Sequence, residues 1–415
     1  MRAPMLLVVG AAVLLLAGYA WLRDEPVSPD AQAWLLPAEH QVTHSEAYLL
    51  LLGIHAPIGQ SPRELGAQTL AAYQDWRVAH SVSEPFSPDQ HAMLPLPDGE
   101  FFCPVTLAAC FARLVERSPE LPAILGTHGE LLERYRQFLA LDDYLTLAQP
   151  GPDEPIPALS YLLRGAHLLG LQALQQALAG ETHAASALLL EERRALRQYL
   201  ARADHLVLKM ALVALLNRNL EWQARLQRVG LVAVAQDTAA LTLEERSLSR
   251  ALQHEFQAQA AVYHSLGAER RVRGSLDMWL GYKPQMSINA SLARYQVAAQ
   301  LSELPPQAFS QAMAHVPAQQ VPHTGVRNWV GDVLLAIKVP DWNRYAARIH
   351  DLDAKLRLLA LSAALPQDVV EADVASLNGA QNPYEPTQRP FLDDQGRVCY
   401  DGPFDAKEAG RCVPL

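Results

Sequence analysis

The chain has 415 residues, half of them hydrophobic and 19% charged, with 34 Lys and Arg against 44 Asp and Glu. That much apolar material suffices for a large core. A net charge of −10 without a clustered run of Lys or Arg argues against a phosphate-binding surface, so no nucleic acid partner is expected.

In chain order, the first element is apolar. No charge interrupts Met5 to Leu22, with Arg2 before the run and Arg23, Asp24 and Glu25 after it. Tyr19 stands where a lipoprotein signal would carry cysteine, so no lipid attaches there. Residues 5–22 sit at the lower limit of the roughly 17–25 residues needed to span a bilayer as a helix. A cleaved signal peptide is the competing reading of residues 1–23, with Met5 to Ala17 as its apolar core. Tyr19 and Trp21 favour an uncleaved anchor as interfacial aromatics. Both readings export residues 24–415, and the anchor places the chain in a bacterial inner membrane as a single-pass protein with its bulk in the periplasm.

Helix signals fill the region 24–376. "SPRE", Ser61 to Glu64, is a capping box with Pro62 at the first helical position. "THGE", Thr127 to Glu130, opens another helix, and "TLEE", Thr242 to Glu245, opens one that can run to His264. Leucine- and alanine-rich stretches fill 159–180 and 187–228. Proline-rich connectors interrupt at 81–103, with Pro85, Pro88, Pro95 and Pro97, and at 149–157, "QPGPDEPIP". The pair "LLLEER" (188–193) and "LTLEER" (241–246) is too little to establish a repeat. After Leu377 turn residues surround short apolar pieces, and "DDQG" before "RVCY" predicts a hairpin. The expected fold is mainly α: an irregular multi-helix array with a loop-and-hairpin tail at 377–415.

"ADHLVLKMALVALL", "LTLEERSLSRALQHEF", "YKPQMSINASLARYQ", "NWVGDVLLAIKVPDWNRYAARIHDLDAKLRLLAL" and "NPYEPTQRPFL" resemble a group of uncharacterised, signal- or anchor-bearing, mostly helical envelope proteins of proteobacteria that end in a similar Asn-Pro-Tyr tail. The resemblance runs from about Glu46 onward. It implies an envelope location and a helical fold, and it brings no activity and no site residue.

Catalytic motifs are missing: no G-x-S-x-G, H-E-x-x-H, P-loop or C-x-x-C occurs, and no cofactor is expected. "HEF", His254 to Phe256, lacks the second histidine that would put two ligands on one helical face. "NAS" at Asn289 matches a sequon, with Asn289 better read as a helix cap. His40 and His44 in "HQVTH" are metal-ligand candidates, with Glu46 as an oxygen donor, if they lie on one helical turn. Pro37 before them argues for a linker. His167, His205 and His315 read as satisfied helical histidines.

Lys209 lies in "HLVLKMALVALL", 205–216, which reads as a helix buried on all sides. A buried ammonium must be paired or lose its proton. Asp204 is about 140° around the helix, so the expected partner is an acid from another helix. The alternative is a catalytic amine in a pocket. Tyr282, Asn289, Asn382 and Tyr384 either line a groove or fix loops to the helical body, and their turn-forming neighbours favour the second.

Cys103, Cys110, Cys399 and Cys412 are the only cysteines. An even count in an exported chain points to disulfides, and the spacings do not suit zinc. The local pairs Cys103–Cys110 and Cys399–Cys412 are expected. The first requires that the helix begin after Pro104, with Thr106 as its natural cap, because seven residues of helical rise separate α-carbons by about 10 Å.

The leading functional expectation is a non-enzymatic envelope scaffold, assembly factor or folding helper for another envelope or secreted protein. The alternatives are an envelope hydrolase or lyase with a pocket around Lys209, and a lipid or small-ligand carrier.

Overall fold

The structure, a computed structural model, describes residues 2–36, 44–80, 85–87, 92–273, 276–315, 322–337, 341–366, 369–377, 379–404 and 410–415. It is mainly helical. In chain order the helices are α1 (Arg2–Leu22), α2 (Pro29–Leu35), α3 (Glu46–Leu52), α4 (Pro62–Ala79), α5 (Ala108–Glu116), α6 (Leu121–Thr127) and α7 (Gly129–Ala140). There follow α8 (Leu159–Leu178), α9 (Thr182–Arg202), α10 (Leu206–Arg228), α11 (Leu243–Arg246), α12 (Ser249–Arg273) and α13 (Leu276–Gly281). The last are α14 (Pro284–Glu303), α15 (Pro306–His315), α16 (Trp329–Ala336), α17 (Trp342–Ser362) and α18 (Glu371–Ser376). The tail adds β1 (Phe391–Leu392), β2 (Arg397–Cys399) and β3 (Cys412–Pro414) as an antiparallel sheet in the order β1-β2-β3.

Packing centres on α10 and α17. Helices α7 to α10 stack in sequence, α10 meets α17, and α17 carries α14 and then α12. Close approach of α8 to α10 depends on Gly170, where a Cβ would stand 2.0 Å from Nε1 of the buried Trp222. The sheet lies against α10 and α17 through β3.

Several signals fold as their chemistry directs. Ser61 caps α4 by accepting from the Glu64 amide, and Thr242 and Glu245 form a full capping box. Other helix starts borrow caps from afar: Asp143 accepts from the Glu46 and Ala47 amides of α3, and Asp24 from Gln285 and Met286 of α14.

Some expectations are corrected. "TLEE" opens only the single turn α11; the chain breaks at Ser247 and Leu248, whose amide turns to Ser302 Oγ, before α12 starts. Thr127 ends α6 by bonding back to Ala123, and His128 stands at the cap of α7. Asn289 is not a cap: it sits inside α14, accepts from the Ser28 amide and donates to the Pro26 carbonyl, so it pins the segment after α1.

Among the described residues no helix is long and apolar enough to cross a membrane. The single-pass inner-membrane anchor expected at residues 5–22, with the periplasmic placement drawn from it, is therefore withdrawn.

Both disulfides form as the local pairing requires. Cys103 and Cys110 stand with α-carbons 5.9 Å apart, and Cys399 and Cys412 with theirs 4.2 Å apart. Helix α5 begins at Ala108, later than Pro104 as geometry demands, with Leu107 rather than Thr106 at the cap position. The hairpin of β1 and β2 pairs Phe391 with Cys399, and β3 then aligns Cys412 opposite Cys399.

Candidate functional site

Three places hold chemistry, and the residues named from the sequence sort among them. His40 lies outside the described residues. His44 precedes α3, which starts at Glu46 behind the cap Ser45; it is exposed, as a linker histidine is, and pairs with Glu46, Nε2 to Oε1 2.6 Å. His167 is a buried, satisfied histidine whose Nε2 lies 2.7 Å from the Phe101 carbonyl oxygen.

Lys209 is buried as expected, at 1% exposure. Its partner is not the expected acid. Nζ donates to the carbonyl of Leu200 at 2.6 Å and more weakly to that of Glu244 at 3.4 Å. Leu200 lies in the last turn of α9 and Glu244 in α11, so the amine caps orphan carbonyls at helix ends, where a cation also meets the negative end of the dipole. Burial pulls its pKa down to about 7, against the charge of Glu245. Glu245 itself is spoken for: both of its oxygens bind Arg197, at 2.6 and 2.8 Å. Beside the amine lies a cleft of about 230 Å³ lined by Ser247, Ser249, Arg250, Glu244 and Glu303. Both serine hydroxyls are committed to Glu303 at 2.7 Å. An amine with both contacts on main-chain carbonyls is built for capping first.

The second place joins three distant segments. Glu154 comes from the connector 149–157, His205 is the N-cap of α10, and His254 lies in α12. His254 Nε2 stands 2.6 Å from Glu154 Oε2, His205 Nε2 stands 3.9 Å from Glu154 Oε1, and the two rings lie 4.9 Å apart. Burial raises the Glu154 carboxyl despite His254, and burial lowers His205 to about 4. His254 also loses by burial, but the hydrogen bond and charge of Glu154 outweigh that and raise it. The missing second ligand of "HEF" is thus supplied by another helix. The other described group with metal-ligating side chains, Asp393 with Cys399 and Cys412, has its sulfurs in a disulfide.

The third place is a face. Helix α13, the 3-10 turn Val326–Asn328 and α16 present Leu276, Trp279, Val326, Trp329, Val333 and Ile337, each between 44% and 72% exposed. Trp329, Val333 and Ile337 recur every fourth residue, one stripe of a helix. What holds the stripe outward is polar. Buried Asn328 accepts from the Lys283 amide at 2.6 Å and donates to Ser287 and Thr324. Thr324 donates twice to Asp332 Oδ1, from its amide at 2.7 Å and its hydroxyl at 2.6 Å. The Trp329 indole packs on Gly281, where a Cβ would stand 2.1 Å from Nε1. Soluble surfaces scatter large apolar side chains singly, and contiguous patches mark contact sites. "NWVGDVLLAI" carries the fourfold spacing, but the same spacing also describes a buried stripe, so sequence alone does not assign it.

Tyr282 and Tyr384 fix loops rather than line a groove. Tyr282 donates to the Tyr263 carbonyl at 2.8 Å; Tyr384 donates to Asp351 at 2.6 Å, and Asn382 to the Asp401 carbonyl at 2.9 Å.

No family model matches this chain, and no curated protein and no solved structure matches it. The resemblance to helical envelope proteins rests on the quoted segments alone.

Proposed function

We propose that this protein is a non-enzymatic helical scaffold that binds another protein through the face of α13 and α16. The supporting observation is the outward stripe of Trp279, Trp329, Val333 and Ile337, backed by the buried Asn328 network. Exposed tryptophans, one of them, Trp329, seated on Gly281, are the side-chain chemistry that dominates protein interfaces, where a few buried aromatic anchors carry most of the energy. The occupant is an apolar helix or strand of a protein partner. The amine of Lys209 supports the enzyme alternative less well, since its hydrogen bonds run to the Leu200 and Glu244 carbonyls.

A photo-crosslinking side chain placed at Val333, with exposed Glu191 of α9 as the control position, tests the proposal in native extracts. The expected result is a discrete heteromeric adduct at 333 that disappears in Trp329→Ala. Adducts of equal yield at both positions, or only with lipid or a second copy of this chain, overturn it.

A further inference from the structure

We infer that Glu154, His205 and His254 form a binding site for a divalent transition metal, zinc by its donor set, that fastens the connector 149–157 to α10 and α12. One donor atom from each residue lies within 4.8 Å of the other two. Two imidazoles and a carboxylate are the ligands that zinc takes with a fourth position left for water, while calcium and magnesium prefer oxygen throughout.

A second observation points to a ligand independently of that spacing. Glu154 Oε1 is buried and has no hydrogen-bond partner, and the side chain as a whole is only 5% exposed. An orphaned buried carboxylate oxygen is costly and needs an explanation. This one is turned toward His205 Nε2, 3.9 Å away, a gap too long for a hydrogen bond. A cation held between Oε1 and the two rings satisfies it. Asp204 lies beside the cluster with its oxygens taken by Thr146, so it shapes the local field without competing as a ligand.

Binding carries a local consequence. His205 Nδ1 accepts from the Val207 amide at 3.2 Å, which leaves the proton of the neutral ring on Nε2. To ligate through Nε2, the ring must move that proton to Nδ1 and give up the cap of α10. Metal and cap therefore compete for His205, and this makes the residue a sharp probe. Asn is a better N-cap than His, so His205→Asn keeps the helix start while removing the metal ligand.

The test uses untagged full-length protein stripped with a chelator and titrated with Zn2+ by calorimetry, and with Co2+ by visible absorption. The expected result is one equivalent bound, a melting temperature raised by Zn2+ and left unchanged by Mg2+, and a four-coordinate Co2+ spectrum. Loss of groups that merely orient metal ligands costs about 10–100-fold in affinity. Loss of a ligand in His205→Asn or Glu154→Gln is therefore expected to weaken Zn2+ at least about 100-fold. His205→Asn is expected to melt no lower than the metal-free parent, which separates lost binding from lost folding. Absence of a stoichiometric Zn2+ site in the parent protein, or its persistence at parental affinity in His205→Asn, overturns the assignment.

Discussion

The Lys209 amine sits where two helices end, donating to the carbonyls of Leu200 and Glu244. An apolar run on both sides of a lysine announces burial. The carbonyls that receive it belong to the end of α9 and to α11, and helix-end carbonyls leave no mark in residue identity. The consequence for mutation changes with the partner. No carboxylate is stranded when the amine goes, so Lys209→Met is expected to be neutral to stabilising at neutral pH, because relief of the buried cation outweighs the lost hydrogen bonds. The pH dependence is more diagnostic. The amine binds its proton with a pKa of 10.5 in the unfolded chain and about 7 in the fold. Between those values the unfolded chain holds more protons, so this group makes stability rise with pH from about 7 to about 10.5. Below about pH 7 both states are protonated and the cost of the buried ammonium stands in full. Denaturant titrations across that window are expected to show the rise in the parent and not in Lys209→Met; equal slopes would mean that the amine is solvated. Tyr384 is a second residue-scale case. Its hydroxyl meets Asp351, which Arg411 also faces at 3.5 Å. Burial pushes the Asp351 carboxyl up to about 7, with Arg411 and Tyr384 opposing. Tyr384→Phe is expected to cost about 1–3 kcal/mol in chemical denaturation and to raise that carboxyl further.

Among elements, those whose cause is local were legible. Ser61 and Pro62 start α4 where the capping box puts it, and the prolines of 149–157 keep that segment irregular. The pairing of four cysteines followed from the shortness of the segments they close. Elements with distant causes were not legible. The break after α11 depends on Ser302 of α14 accepting the Leu248 amide, and β3 depends on α10 and α17 to lie against. The Glu154–His205–His254 centre is of that kind: its members sit 100 and 49 positions from His254, in a connector, a cap and a helix interior, and no single-helix spacing rule joins them. The only hint in the sequence is "HEF", where His254 has no second ligand on its own helix. The tail disulfide gives the prediction at this scale. Removing Cys399–Cys412 by paired serine substitution is expected to cost about 3 kcal/mol. Amide exchange in β1, β2 and β3 is expected to accelerate well before that in α10, and unchanged protection there would show that the sheet holds without the bridge.

At the scale of the molecule, the mainly helical class was written in composition and periodicity. The use of the body was not. An apolar stripe reads alike whether it faces a core or a partner, and only the fold shows that Trp329, Val333 and Ile337 point away from the packed α14 side of α16 while Leu335 points in. The polar network beneath the stripe explains why it stays presented: Asn328 and Asp332 are saturated inward, so tilting α16 to bury its own tryptophan would break their hydrogen bonds. The most direct test is the affinity of the crosslinked partner, once purified, for the parent protein and for Trp279→Ala with Trp329→Ala. Anchor tryptophans at interface centres cost about 2 kcal/mol or more each when truncated, so the doubly substituted protein, still folded by circular dichroism, is predicted to bind at least about 100-fold more weakly. Binding at parental affinity would contradict the assignment of this face as the contact site.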